Sequence, residues 1–130
     1  MTDAFHPDFA GDIVDVIAAD SNITAQSPYF VTLYDPEGNE LHADLQNGRV
    51  SVASADWTRT NTAFENAAEI DFGEATDDID VQEFAIKSDD ADDATATVYF
   101  KAAITSAPQS FSNGTRVFFD AGDLDVDVLD

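Results

Sequence analysis

No cysteine occurs in the chain, so disulfides, thiolate metal sites and cysteine nucleophiles are excluded. Histidine is almost as scarce, and a catalytic triad has only His6 and His42 to build on. His6 lies in a terminal segment expected to fray. His42 falls in the exposed-looking stretch 40–46, where a solvated side chain is expected. Cations are limited to Lys87, Lys101, Arg49, Arg59 and Arg116, too few and too dispersed to displace phosphate counterions. Nucleic acid is therefore not an expected partner. No stretch approaches the roughly 18 uninterrupted apolar residues of a membrane span. Residues Met1 to Pro7 lack the basic and long apolar regions of a signal peptide, so no membrane partner is expected either. Glycine-rich phosphate loops and a His-Glu-x-x-His helix are also missing. These absences together predict a chain with no catalytic role and no cofactor.

Acid is what the chain has in excess. There are 27 Asp and Glu residues, 21 of them Asp, for a formal net charge of -22. In dilute buffer such a charge repels itself and weakens the compact state. At 1 M salt the screening length falls to about 3 Å and most of the repulsion disappears. With 44% hydrophobic residues and ten Phe the chain is still globular in composition, so the acidity reads as adaptation to molar salt rather than as disorder. At 130 residues it fits one domain, residues 1–130, able to bury roughly two-thirds of its unfolded surface.

Periodicity divides the chain into a helix over about 8–20 and a β domain over about 28–129. Phe9, Ile13, Val16 and Ile17 recur at helical spacing, with Asp12 and Asp15 opposite, Asp8 as the N-cap and Ser21-Asn22 as the stop. Strands are then predicted at Tyr29–Tyr34, apolar on both faces, and at Arg49–Ala53 behind the Asn47-Gly48 turn. Further strands follow at Ala68–Phe72, Val81–Lys87, Thr97–Ile104, Thr115–Asp120 and Asp123–Leu129. Trp57 stands in a polar setting. About seven strands after one short N-terminal helix predict a mainly β fold, an antiparallel β-sandwich or barrel-like domain.

The acidic runs, 77–80, 89–93 and 120–127, are oxygen-rich but lack the fixed spacing, central Gly and closing Glu of a calcium loop. No metal site is assigned to them. Asn22-Ile23-Thr24 and Asn113-Gly114-Thr115 match the N-glycosylation tripeptide.

The order of segments resembles a family of small tailed-phage structural proteins, described as tail-fibre-like, which begin with a short helix and continue as a β domain. The resemblance is carried by the helix 8–20, the strand and turn from Phe30 to Glu40, and the segment Asn66 to Thr76. It extends through the strand ending in an acidic loop, Val81 to Asp93, and the closing Arg116 to Asp130, which looks like a terminal hairpin turning at Ala121-Gly122-Asp123. The chain departs from that pattern in its acidity and in Asp78-Ile79-Asp80, where the family tends to place Trp and Gly. It also lacks a Gly-rich segment after the first strand. The resemblance implies a virion component at the tail, baseplate or capsid surface, and the acidity points to a virus of a salt-accumulating archaeon. The implied partners are copies of the chain itself and other capsid or tail proteins. An interaction or ligand-binding module of a halophilic cell is the alternative. In molar salt such contacts are expected to be apolar, and Phe5, Trp57 and Phe118 are the candidate interface residues.

Overall fold

A computed structural model describes residues 6–20 and 28–128. The chain is mainly antiparallel β with one short helix at its start, as the periodicity predicts. In order, the elements are α1 (Pro7–Ala18), β1 (Tyr29–Tyr34), β2 (Val50–Val52), β3 (Trp57–Thr60), β4 (Ala63–Asn66) and β5 (Ile70–Glu74). They continue with β6 (Ile79–Val81), β7 (Glu83–Lys87), β8 (Val98–Ala103), β9 (Gln109–Phe111), β10 (Arg116–Phe119) and β11 (Asp125–Asp127). The widest sheet has the order β2-β1-β7-β8. Smaller ones pair β10 with β5, β6 with β9, and β11 with β4 and β3.

The inner faces of these sheets meet in one apolar core. Val31 and Leu33 of β1 and Phe84 and Ile86 of β7 alternate into it from the wide sheet. Ile70, Phe72, Val117 and Phe119 enter from β5 and β10, and Leu124 and Val126 from the last segment. Phe84 is fully buried, and withdrawing a side chain of this size from water stabilises the fold by about 1.5–3 kcal/mol. The last strand keeps Asp125 and Asp127 exposed while Val126 is buried, a clean period of two. Gly73 in β5 sits at a register shift in the β10–β5 ladder with φ +76, and a Cβ there would come within 2.7 Å of the Gln46 side chain. Only glycine fits that bulge.

Four strands are absent from the sequence-based set. β3 and β4 form a hairpin around Asn61-Thr62 in a segment without apolar alternation. β6 and β9 are three-residue strands, too short for a period to register. Val81 also does not begin β7. The chain turns at Gln82, whose N–H donates to Tyr34 and whose carbonyl accepts from Ile104, and this corner moves it from one sheet to the next.

The closing segment is not a hairpin. β10 pairs with β5 and β11 with β4, and the buried amide of Asn66 holds the corner between them. Its Nδ2 donates to the carbonyls of Ala68 and Asp120, both at 2.9 Å, and Phe119 at 3.3 Å. Its Oδ1 accepts from the N–H groups of Gly122 at 3.1 Å and Leu124 at 3.0 Å. One side chain thereby satisfies five backbone groups of a turn and sends the two strands to different sheets.

The helix also differs from expectation at both ends. His6, not Asp8, is the N-cap: its side chain accepts from the Asp8 N–H, and Pro7 occupies the first turn, where its missing N–H costs nothing. Asp8 instead accepts from the Val98 N–H at 3.3 Å, and the His6 N–H donates to the Tyr99 carbonyl at 3.0 Å, stitching the helix start to β8. The helix ends at Ala18, followed by Asp20 at φ +53; Ser21-Asn22 lie outside the described residues.

Candidate functional site

The polar face of the wide sheet carries the densest arrangement of charge among the described residues. Side chains alternate along a strand, so the residues between the core positions of β1 and β7 point the other way: Thr32 and Tyr34, Ala85 and Lys87. Tyr34, Ala85 and Val98 make a small second cluster there. Over it folds the acidic loop that follows β7. Lys87 is completely buried, with its Nζ 2.7 Å from Asp93 and 3.5 Å from Glu40. A lone ammonium could not be held in that place, and the two carboxylates neutralise it.

Arg49, just before β2, is the second cation of the site, its side chain only 7% exposed. Its Nε and Nη2 donate to the two oxygens of Glu40 at 2.7 and 2.8 Å, a forked pair that only a planar guanidinium makes. The remaining donors reach Asp90 at 3.1 Å and Asp92 at 2.9 Å. Thr32 Oγ1 donates to Glu40 at 2.5 Å and Tyr34 Oη to Asp93 at 2.8 Å, while Lys101 Nζ lies 3.7 Å above the Tyr34 ring. Three of the chain's five cations therefore converge on one loop. Burial works to raise Glu40, but the hydrogen bonds from Arg49 and Thr32 and the Lys87 charge outweigh it and hold its carboxyl below the usual range. Asp93 is likewise held low, with burial overcome by Lys87 and Tyr34. Burial and the neighbouring Asp93 push the Tyr34 hydroxyl far above its ordinary value.

His42 is half-buried here rather than solvated. Its Nδ1 lies 3.5 Å from Glu40 and its Nε2 4.0 Å from Asp92, and one ligand atom from each of these three residues falls within 4.8 Å of the others. That grouping is the best approach to a metal site among the described residues. Its carboxylates, however, already hold Arg49 and Lys87, so a cation would have to displace a forked guanidinium pair. The donor set fits an ion-pair core better than a metal centre. The His42 Nδ1 is buried and has no hydrogen-bond partner among the described residues.

Members of the other acidic runs are tied to neighbouring turns and strands. Asp78 accepts from the Asn113 N–H at 2.8 Å, Asp80 from Ser110 Oγ at 2.6 Å, Asp123 from the Asp120 N–H at 3.0 Å and Asp127 from Thr62 Oγ1 at 3.1 Å. Of the residues singled out for interfaces, Trp57 is half-buried and packs edge-on to Phe64 at 5.4 Å against the core. Phe118 is 38% exposed with the Arg116 guanidinium 4.2 Å above its ring, and Phe5 lies outside the described residues. Asn113 is exposed in the turn before β10; Asn22 is outside the described residues.

Four of the five exposed large apolar side chains among the described residues lie on α1. α1 seats Phe9 edge-on to Tyr99 at 4.9 Å and Phe100 at 5.5 Å, but buries no residue fully. Ile17 is 85% exposed, Val14 60%, and Ile13 and Val16 37% each. No protein-family model matches the chain, and a search of curated proteins finds no match.

Proposed function

We propose that the chain is a non-catalytic structural module of a virus particle, a tail, baseplate or capsid-surface component that works in molar salt by docking to other particle proteins. The observation that carries this reading is α1. A helix of 12 residues is marginal by itself in water, and this one has Gly11 at its centre and four β-branched residues in its last turns. Its stability has to come from packing, yet Ile13, Val14, Val16 and Ile17 leave roughly 400 Å² of apolar surface uncovered, as large as the biggest patch of a typical monomer. Such a surface on an otherwise acidic molecule suits a partner that supplies apolar contact, which molar salt does not screen.

The internal use of polar groups supports the same reading. Arg49 and Lys87 pair with the aspartates of the acidic loop, and Lys101 lies over the Tyr34 ring that the loop covers. Electron microscopy of particles from the host tests the proposal. The expected result is this chain traced into the map with Val14 and Ile17 against a neighbouring protein. Particles that lack the chain, or hold it with α1 facing solvent, would overturn it.

A further inference from the structure

We infer that β3 is a pairing edge for a second copy of this chain, so that the sheet β11-β4-β3 continues into β3 of the partner copy. β3 is the rim strand of its sheet and bonds to β4 on one side only. The two-residue loop Asn61-Thr62 closes Thr60 against Ala63, and the antiparallel ladder alternates from there. The N–H and C=O groups of Trp57 and Arg59 consequently face away from β4. The Trp57 N–H turns back to the Ser54 carbonyl, and among the described residues no other backbone group outside β4 bonds to β3, which leaves the Trp57 C=O and the Arg59 N–H and C=O open. These are the free donors and acceptors that an added strand completes.

Two other rims, β8 and β11, are guarded. The start of α1 bonds to β8 through His6 and Asp8, and β11 displays Asp125 and Asp127. β3 has no such protection. Residues 57–64, Trp-Thr-Arg-Thr-Asn-Thr-Ala-Phe, contain no acid in a chain of net charge -22. Two copies approaching through acidic faces set Asp against Asp, whereas two β3 edges meet without like-charge acids. Arg59 strengthens the selection of a copy. Alone among the five cations it meets neither a carboxylate nor an aromatic ring among the described residues, its Nε donating only to the Asn61 carbonyl at 3.1 Å. An unspent guanidinium is complemented by the acids of a second copy that flank its acid-free stretch, Asp56 and Glu65. Antiparallel pairing of β3 with itself is also the geometry that a two-fold axis produces. A shallow groove of about 350 Å³ beside Arg59, floored by Ala63, Phe64 and Val128, adds apolar contact near the seam.

This pairing uses a surface separate from α1 and stands or falls independently of docking there. Sedimentation velocity in molar KCl, over a concentration series, is the test. The wild type is expected at twice the 14.0 kDa chain mass. Arg59→Glu, which puts an acid on the edge, is expected to raise the dimer dissociation constant at least about tenfold. Arg59→Pro, which removes an outward N–H, should do the same; if it unfolds the hairpin, Arg59→Glu still decides. Hydrogen exchange at the Arg59 amide should slow as concentration rises, while the Thr58 amide, already bonded to β4, should not change. A wild type that stays at single-chain mass up to about 1 mM overturns the inference. So does a dimer that Arg59→Glu leaves intact, or one that Ile17→Gln on α1 dissolves.

Discussion

Helix α1 and the acidic loop after β7 both adjoin β8, and each runs against hydropathy in its own way: the exposed loop covers a buried lysine, whereas the helix leaves Ile and Val outside. The loop brings Asp90, Asp92 and Asp93 down onto Arg49 and Lys87, and Lys87 loses all contact with water. The helix is richer in Ile and Val and stays at the surface. The difference teaches that burial follows the availability of a partner rather than the polarity of a residue. Charges can be enclosed where opposite charges and hydroxyls are in reach, and apolar groups remain outside where no second face is supplied.

The comparison breaks most sharply at Glu40, which Arg49, Lys87 and Thr32 all contact. Glu40→Gln keeps the shape and removes the charge, leaving a buried ammonium and a nearly buried guanidinium short of a counter-ion. A loss of about 3–5 kcal/mol is expected, read from urea unfolding in molar KCl. A loss below about 1 kcal/mol would mean that the loop is not clamped by ion pairs.

Acid should loosen the same region by a smaller amount. Glu40 and Asp93 are held below the ordinary carboxylate range in the folded chain, so the unfolded chain takes up protons first as pH falls. Their contribution is complete above the ordinary values of about 3.9 to 4.3 and disappears as pH drops through the lower folded-state values. In molar KCl, where long-range repulsion is screened, the protection of the amides of 88–97, taken as exchange relative to an unstructured chain at the same pH, should fall on going from about pH 6 to pH 3. Protection that stays level in this loop across that range would show that its carboxylates do not hold it down.

Much of the architecture was legible in the residues because it rests on period. Val31 and Leu33, Phe84 and Ile86, and Leu124 and Val126 alternate in the sequence and alternate in the fold. What was hidden depends on contacts distant in the chain. The faces of β7 could be read, but not that Lys87 is enclosed, because its partners Glu40 and Asp93 come from a turn and a loop that carry no period. His42 looked exposed for the same reason. Asn66 gave no local sign that it would organise a corner more than 50 residues away, as its bond to Leu124 does with a separation of 58. The hairpin of β3 and β4 was missed because Thr58, Thr60 and Thr62 replace the apolar alternation, and its edge role rests on an absence of acid that only topology makes meaningful. The helix was legible as a helix. Its apolar arc was not legible as surface, since periodicity reports that a face exists and not whether anything covers it.

The smallest effect is expected on that arc, and its smallness is informative. Ile17 is 85% exposed and lies one residue from the end of α1, so truncating or replacing its side chain removes almost no packing from the lone chain. Glutamine is at least as good a helix former as isoleucine and adds no charge near the negative end of the helix dipole. Ile17→Gln should therefore leave unfolding in molar KCl within about 0.5 kcal/mol of the wild type, against several for Glu40→Gln. The same change should weaken incorporation into particles, because the arc has lost its most prominent side chain. A loss of about 2 kcal/mol or more in the isolated chain would show that Ile17 is covered by its own protein in solution. The helix would then belong to the core, and the assembly reading would lose the surface on which it rests.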